Sequence, residues 1–452
     1  MGKLDVFKSD FFRSSFKLSI GTTIAQAIPV ILSPILTRLY SPSDFGVLGL
    51  YLSLSGILMT MASGSYELAI MLPEKNKDAI NVAALSFCIV IVFCIVLYFI
   101  TTLFNLDICR FLHNSDLSQW LYYLPFVLFF LAGIQILNYF FTRRKKYGKL
   151  AMAQSGQGLV IGIVYLAAGF LKIGNIGLMW GRFLGAIFAF IFLIASLFNR
   201  AKLKTLISNI SFNQMKKVGR RYIDFPKFSL LSRTINTASI QMTPILLAIF
   251  FSSNVVGFYS LAARAIFLPT ALVGKSISQV FFQKASLLVG DKEALRNLTL
   301  NLYKNMLFIC LIPIIVLMMF GGHIFSFVFG AKWYIAGQYA QVLSIWILFV
   351  FIGSPLSVLF NVLEKQKQSL FFNGMLFLSR IVMVIIGGAI IANSYLTIVL
   401  FGIIGAIFWF FFCCYLLNLV GIAYIKTIRI TALPVVPVIV GMFCLRVLLR
   451  SL

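Results

Sequence analysis

The sequence predicts an all-α protein that crosses a membrane many times, and three observations support this class. Hydrophobic residues make up 61% of the 452 residues and charged residues only 11%, and the mean hydropathy is +0.99. Several apolar runs exceed the roughly 18 residues that a spanning helix requires. The alternating pattern of a membrane β-barrel is missing from these runs. A composition this apolar excludes a water-soluble globular protein.

Hydropathy and the positions of proline, glycine and charged residues predict about twelve spanning helices. The first six lie at 16–39, 45–72, 79–105, 118–142, 151–170 and 176–198. The second six lie at 226–251, 255–283, 297–320, 334–360, 369–391 and 396–423. We interpret the first as an uncleaved helix, because its apolar character continues beyond the small residues Ala25 and Ala27 as far as Leu39.

A weak internal repeat suggests two halves. The segment SPILTRLYSPSDFGVLGLY (33–51) resembles TPILLAIFFSSNVVGFYS (243–260), although chance similarity between two apolar helices remains an alternative. Six helices per half return the chain to its starting side, so two bundles are expected to be related by a pseudo-two-fold axis along the membrane normal. The predicted domains are a six-helix bundle (1–198), a cytoplasmic linker (199–225), a second six-helix bundle (226–425) and an apolar tail (426–452).

The tail is predicted to form an interfacial or peripheral helix. Its apolar stretch 432–449 is short and contains Pro434 and Pro437. A thirteenth span would also place Arg446 and Arg450 on the side opposite to the other basic loops. The sequence leaves open whether this stretch spans the membrane.

The basic residues predict the orientation of the helices. The formal net charge is +26, and lysine and arginine concentrate in alternate loops, including the run Arg143–Lys146. The positive-inside rule then places the N-terminus and both ends of the twelve-helix core in the cytoplasm. This pattern favours a topology signal over nucleic-acid binding, so no nucleic-acid partner is expected. The seven cysteines lie mostly in apolar stretches without metal or disulfide spacing, which predicts neither a metal nor a disulfide.

Polar side chains on predicted spans indicate a water-accessible cleft between the two bundles. Gln26 on the first span aligns with Asn236 at the repeat offset, and Gln241 and Asn373 lie on later spans. Five cations within the spans are candidates for lining this cleft: Arg182, Arg233, Arg264, Lys275 and Arg380. Each arginine near the bilayer centre costs about 2.5–3.5 kcal/mol on insertion scales, so a partner or a purpose is expected. These nine residues are the candidate substrate-binding residues.

Two alternatives to a cleft apply to these charges. Arg182, Arg233 and Lys275 lie near helix ends, where long basic side chains reach the lipid headgroups. Glu67, the one clear carboxylate within a span, lies close to the predicted cytoplasmic end of its helix. We interpret it as a cavity carboxylate that orients a cavity arginine or carries a coupling proton. The predominance of cations indicates an anionic substrate such as a pyrophosphate, bound through charge-assisted hydrogen bonds.

Two segments resemble a known family. The residues 22–79, with SPILTRLYSPSDFGVLGLY and YELAIMLPEKNKDA, and the residues 225–286, with FPKFSLLSRTINTASIQMTPILLAIFFSSNVVGFYSLAARAIFLPTALVGKSISQVFFQKAS, resemble bacterial O-antigen and polysaccharide repeat-unit flippases. The family belongs to the same superfamily as MATE drug exporters and the peptidoglycan lipid flippase. The resemblance implies a MATE-like fold of two six-helix bundles with alternating access. It also places the family's tyrosine–glutamate pair on Tyr66 and Glu67.

The resemblance further implies a function in the bacterial inner membrane. A flippase of this kind moves an undecaprenyl-pyrophosphate-linked oligosaccharide, such as an O-antigen unit, from the cytoplasmic to the periplasmic leaflet. Its partners would be this lipid and the membrane lipids. A polysaccharide polymerase and a chain-length regulator are further candidate partners. Which sugar is carried and which ion, if any, is coupled stay open.

Two alternatives come from other classes of membrane protein. A MATE-like antiporter of cationic drugs would need carboxylates in the cleft, where the sequence offers mainly arginines. A membrane glycan polymerase or glycosyltransferase would need acid–base or metal-binding groups on a sizeable external loop, and the external loops are short. No P-loop motif is found in the sequence, so no nucleotide cofactor is expected. The sequence therefore predicts a transporter without catalytic residues and without a cofactor.

Overall fold

The computed structural model describes residues 31–197 and 208–435, together with residues 28 and 437. Within these residues the secondary structure consists of helices joined by turns, without strands, which confirms the predicted all-α class. Nine helices of the described part are long and apolar enough to cross a membrane. The number twelve and the pseudo-two-fold axis stay predictions, and most of the first predicted span, 16–39, lies outside the described residues.

The chain divides into two compact units, Met1–Val256 and Gly257–Leu452. The helices of the first unit are α1 (Ser33–Leu39), α2 (Pro42–Met61), α3 (Tyr66–Ala69), α4 (Asn76–Leu103), α5 (Asn105–Phe111), α6 (Ser118–Arg143), α7 (Tyr147–Phe170), α8 (Asn175–Ala195), α9 (Phe212–Arg221) and α10 (Leu230–Phe250). A π-helical turn, Phe225–Ser229, precedes α10. Helix α11 (Ser253–Pro269) continues from the first unit into the second.

The remaining helices belong to the second unit. They are α12 (Lys275–Leu287), α13 (Lys292–Phe329), α14 (Tyr334–Leu356), α15 (Leu359–Val362), α16 (Gln366–Ile385), α17 (Ser394–Leu419) and α18 (424–435). Helix α14 packs against both α13 and α17, and Trp333, Tyr339 and Trp346 are almost fully buried there. The apolar core of this unit therefore surrounds α14.

Local sequence signals explain several helix starts. Ser41 accepts a hydrogen bond from the backbone N–H of Asp44 at 3.1 Å, and the Asp44 carboxylate accepts one from the backbone N–H of Ser41 at 2.8 Å. This capping box satisfies the first turn of α2. Asp291 and Asn393 cap α13 and α17 in the same way, each accepting from a backbone N–H three residues later.

Several predicted spans are not continuous α-helices, among them 45–72 and 255–283. The span predicted at 45–72 stops at Met61, makes a turn, and resumes as the short helix α3. The span predicted at 255–283 contains the π-helical turn Thr270–Gly274 between α11 and α12. Both interruptions contain glycine and small hydroxyl residues, whose weak helix propensity makes such breaks inexpensive. These interruptions are features that the hydropathy pattern does not reveal.

The linker and the tail contain helices of their own. Within the predicted linker 199–225, α9 packs on α4 through buried Val218. In the tail, α18 buries Thr427 and Thr431, and the Thr431 hydroxyl hydrogen-bonds Tyr303 of α13 at 2.5 Å. The predicted boundaries 1–198, 199–225, 226–425 and 426–452 stay a prediction, and most of the tail lies outside the described residues.

Candidate functional site

The break after α2 places a carboxylate inside the protein. Gly64 and Ser65 adopt left-handed φ angles of 60° and 61°, which glycine adopts freely and a small polar residue adopts at modest cost. The chain then re-enters a helix at Tyr66. The next side chain, Glu67, is only 1% exposed. A buried carboxylate requires hydrogen-bond donors and a counter-charge.

Glu67 receives donors from three other elements. Its Oε1 accepts a hydrogen bond from Gln135 Nε2 of α6 at 2.9 Å and from Arg233 Nη1 of α10 at 2.6 Å. Its Oε2 accepts from the Ser63 hydroxyl in the turn. The Arg233 contact is an ion pair. Both carboxylate oxygens of Glu67 are therefore satisfied, and its charge is balanced.

Arg233 lies at the edge of this cluster. The same Nη1 atom also donates to the Ser65 hydroxyl at 3.1 Å. The side chain of Arg233 is 31% exposed, in contrast to 1% for Glu67. Arg233 thus pairs with the buried carboxylate of Glu67, while part of its own side chain remains accessible.

The ion pair ends a line of polar contacts between α2 and α10. The Ser53 hydroxyl donates to Gln241 Oε1 at 3.3 Å, and the hydroxyls of Thr60 and Thr234 are 3.1 Å apart. Because later residues of α2 meet earlier residues of α10, the two helices are antiparallel. We call these two contacts and the Glu67–Arg233 pair the polar seam. The polar seam joins α2, which belongs to the first predicted bundle, to α10, which belongs to the second predicted bundle. Both helices lie in the first compact unit of the structure.

A close backbone contact joins α2 to the start of α11, beyond the polar seam. A Cβ added at Gly46 would lie 1.8 Å from the carbonyl oxygen of Ser253. Only glycine therefore permits the first turn of α2 to approach the start of α11 this closely. Nearby, Asn114 Nδ2 donates to the Ser253 hydroxyl at 2.9 Å.

An arginine and a tyrosine hold the segment around Glu67 in place. Arg143, at the end of α6, donates to the backbone carbonyls of Met71 at 3.1 Å and of Ile70 at 3.3 Å, and also to that of Pro73. Tyr66 donates its hydroxyl proton to the carbonyl of Gly219 in α9 at 2.9 Å. The tyrosine–glutamate pair therefore has divided roles, because Tyr66 fixes the linker helix and Glu67 binds the cation.

The second unit contains another predicted cation, Arg380 of α16. Its guanidinium carbon lies 5.5 Å from the ring centroid of Trp346, which is cation–π geometry. Arg380 also lines a small cavity of about 10 Å³ together with Ser379 and Phe401, which is about the size of one water. Arg264 of α11 is exposed in this structure.

The remaining predicted residues lie in varied environments. Arg182 and Gln241 are partly buried, whereas Asn236 and Asn373 are exposed. Lys275 begins α12, but its side chain and all of Gln26 lie outside what the structure describes. The contacts of Glu67 thus bring together one predicted carboxylate and one of the five predicted cations.

Several residues of the cluster are not among the predicted site residues. The ion pair is contacted by Ser63, Ser65 and Gln135, and the sequence pattern alone did not assign these residues to the site. Gln135 and Asn138 are the two amides in the otherwise apolar stretch 124–141, and amides within such a stretch are the signal that would have indicated Gln135. Within the described residues no group of three or more His, Cys, Asp or Glu side chains is arranged to hold a metal.

Comparison with known proteins identifies the family. A family model described as "Polysaccharide biosynthesis protein" matches residues 35–338, which is more than half of the 452 residues. The chain belongs to the polysaccharide biosynthesis protein family. This confirms the predicted family. The matched residues include Glu67 and Arg233, whereas Arg380 lies beyond them.

Solved structures show which fold this family member adopts. It matches an inward-facing multidrug resistance MATE family transporter of the MOP superfamily with a TM-score of 0.68 at 15% identity, over 89% of this chain and 95% of that one. It matches the lipid II flippase MurJ in an inward closed conformation with a TM-score of 0.68 at 14% identity, over 94% and 91%. The predicted MATE-like fold is therefore confirmed.

A third similar structure is a MOP superfamily transporter from Pyrococcus furiosus, described as having a binding pocket of reverse polarity. The TM-score is 0.53 at 13% identity, over 91% of this chain and 96% of that one. No curated protein sequence matches the chain significantly. At such low identities the solved structures establish the fold alone.

Proposed function

We propose that this protein is a flippase that moves an undecaprenyl-pyrophosphate-linked oligosaccharide, such as an O-antigen unit, from the cytoplasmic to the periplasmic leaflet. Family membership supports a role in polysaccharide biosynthesis. The fold shared with the lipid II flippase MurJ and with MATE transporters supports membrane transport. No bond in the substrate is broken in this mechanism.

The observation that carries the proposal is the Glu67–Arg233 pair. Glu67 is fully enclosed and charge-balanced, whereas nearly a third of the Arg233 side chain remains exposed. A guanidinium in this position presents N–H groups to a phosphate oxygen, and Arg–phosphate contacts are among the strong charge-assisted hydrogen bonds. Glu67 orients the cation without occupying its exposed edge. The site is therefore suited to an anionic headgroup.

Transport would follow the alternating-access mechanism. The pyrophosphate and sugars occupy a cleft lined by the predicted substrate-binding residues, while the isoprenoid chain stays in the bilayer. These residues are Arg264, Arg380, Arg233, Arg182, Lys275, Gln26, Asn236, Gln241 and Asn373. Rocking of the two predicted bundles then opens the cleft to the opposite leaflet, with Glu67 as the cavity carboxylate.

The charge balance argues against a MATE-like exporter of cationic drugs. Such a substrate would need an accessible carboxylate, and Glu67 is enclosed and paired with Arg233. A glycan polymerase or glycosyltransferase is disfavoured for a different reason. His113 and His323, the two histidines, contact the Ile249 carbonyl and the Tyr334 ring respectively, which are ordinary structural contacts.

The proposal places the protein in the bacterial inner membrane with both ends of the helical core in the cytoplasm. Its partners are the lipid-linked oligosaccharide and the surrounding lipids. A polysaccharide polymerase would consume the flipped lipid, and a chain-length regulator would act with that polymerase.

A leaflet-resolved transport assay tests this function. The purified protein is reconstituted in liposomes with a polyprenyl-pyrophosphate-linked oligosaccharide, and a membrane-impermeant oxidant of sugar diols reports how much lipid has changed leaflets. We expect Arg233→Ala to slow transport by about tenfold or more, because a charge-assisted contact to phosphate is lost. Arg264→Ala and Arg380→Ala are expected to slow it in the same direction.

Arg110→Ala is the matched control. Arg110 is 79% exposed and lies 3.8 Å from Asp107 on the surface, so its removal should leave the rate unchanged. Absence of transport by the folded wild-type protein would contradict the proposed function. Normal rates in all three arginine variants would remove the anion-binding role.

A further inference from the structure

The second unit contains a pocket whose described lining combines hydroxyl and amide groups with an aromatic ring and carries no charged side chain. The pocket has a volume of about 480 Å³, which lies within the usual range for small-molecule sites. Three hydroxyls and an amide converge on it from α12 and the end of α14: Ser278, Gln279, Ser354 and Ser357. Thr270 adds a further hydroxyl from the π-helical turn.

The turn Thr270–Gly274 makes this pocket possible. A π-helical segment widens the helix between α11 and α12, and such segments occur frequently at functional sites. Gly274 lines the pocket, and a Cβ added there would lie 3.8 Å from Thr270 Cγ2, an ordinary contact distance. The space beside the turn is therefore available to a ligand.

The hydroxyls can act as both donors and acceptors. Ser357 donates its proton to the carbonyl of Ser354 at 2.7 Å, so its oxygen presents lone pairs as an acceptor. Gln279 is exposed and offers both an amide N–H and a carbonyl oxygen. Such a mixed set of neutral groups matches the hydroxyls of a sugar better than it matches a phosphate, which accepts only.

An aromatic ring lines the pocket on the side of Arg380. Phe267 lines the pocket, and its ring meets Trp346 edge-to-face with centroids 5.2 Å apart. Trp346 in turn lies under Arg380. Phe267 and Trp346 therefore lie as two packed rings between this pocket and Arg380. Aromatic faces provide an apolar surface on which the C–H groups of a sugar ring can pack.

We propose that this pocket binds one pyranose ring of the transported oligosaccharide. The inference rests on the proposed flippase function and goes further by separating two kinds of recognition. Arginines recognise the pyrophosphate, while the pocket around Thr270, Gln279 and Ser354 recognises the saccharide. The pocket thereby gives the protein a preference for a glycosylated lipid over the same lipid without sugar.

A paired-substrate assay tests the pocket. Wild-type protein in liposomes is offered polyprenyl pyrophosphate and, separately, the same lipid carrying a hexose or an N-acetylhexosamine, and flipping of each is measured as a rate. We expect the wild type to flip at least one glycosylated lipid faster than the bare lipid. Gln279→Ala combined with Thr270→Val should reduce this preference by about tenfold, because two hydrogen bonds to the sugar are lost.

A second variant and two matched controls show whether a change in preference comes from the pocket. Gly274→Leu should abolish the preference by filling the pocket. Gln283→Ala and Ser286→Ala change exposed residues of the same helix outside the lining and should retain the full preference. Each variant is first checked for wild-type elution and thermal unfolding, and only folded variants are compared.

The possible outcomes separate the two proposals. If folded Gln279→Ala/Thr270→Val and Gly274→Leu proteins keep the wild-type preference, the pocket is a water-filled space only and the inference is wrong, while the flippase function stands. If the wild type flips every lipid equally, the inference is also wrong. If the wild type flips no lipid, the proposed function fails, and the pocket assignment fails with it.

Discussion

Glu67 shows how one charged residue is accommodated inside an apolar protein. Its carboxylate takes hydrogen bonds from Ser63, Gln135 and Arg233, which belong to three different elements. It lies beside an apolar cluster that includes Tyr66, Ile136 and Phe140. In such surroundings removing one partner of an ion pair costs more than removing both, because an uncompensated charge is left behind.

A stability prediction follows at the residue scale. Arg233→Ala should lower the free energy of unfolding by about 2–3 kcal/mol, toward the low end of the range for buried pairs because Arg233 is partly exposed. Glu67→Gln combined with Arg233→Ala should be more stable than Arg233→Ala alone, since no charge is then left buried. Thermal unfolding in detergent, followed by tryptophan fluorescence, measures both.

Arg110→Ala serves as the control and should change stability by less than about 0.5 kcal/mol. A double variant that is less stable than Arg233→Ala would show that the carboxylate of Glu67 is not the source of the loss.

The residue scale also shows what the sequence can reveal about the site. Glu67 was identifiable because a carboxylate is rare in this chain, and Arg233 was one of five candidate cations. Their pairing was not identifiable, because it joins residues 166 positions apart and depends on the turn after Met61. The pocket around Thr270 was missed for a similar reason, since its hydroxyls come from helices far apart in sequence and each is unremarkable alone.

At the element scale, the contact between α2 and α10 is the feature that bears most directly on the proposed transport. The helices meet through hydroxyls and an amide at the polar seam. Hydropathy located both helices, because burial in a bilayer demands apolar residues. It did not locate the break at 62–65, where the backbone angles of Gly64 and Ser65 decide the course of the chain.

A cross-linking prediction tests whether these helices separate during transport. Thr60→Cys and Thr234→Cys are introduced into a cysteine-free background, where the present hydroxyl separation of 3.1 Å favours disulfide formation. We expect oxidation to stop flipping in liposomes and a reductant to restore it. The two single-cysteine variants control for oxidation itself. Full activity of the cross-linked protein would show that α2 and α10 stay together throughout transport.

At the scale of the whole molecule, the distribution of basic residues predicts which side of the membrane is cytoplasmic. The described part shows further roles for some of them: Arg143 binds the carbonyls after α3, and α9 presents Lys216, Lys217, Arg220 and Arg221 on its exposed face. The positive-inside rule accounts for the charges as a group. Their individual contacts depend on tertiary packing and follow from the structure alone.

A labelling experiment tests the orientation. In a cysteine-free background, Asp116→Cys should react with a membrane-impermeant thiol reagent in cells whose outer membrane alone is permeabilised. Lys217→Cys should react only after the inner membrane is also opened. Both native residues are exposed, so access by the reagent reports the side of the membrane. The reverse pattern would invert the proposed direction of transport.

The polar contacts of the seam affect the free energy that is needed to separate α2 from α10. Hydroxyl and amide contacts can be replaced one at a time by water molecules, and a bridging water is nearly as favourable as the direct hydrogen bond. Interlocked leucines in the same places would lose their dispersion contacts as soon as the helices parted. Hydration of Ser53, Thr60, Thr234 and Gln241 would therefore keep the two separated surfaces close in free energy to the joined ones, as a reversible cycle requires.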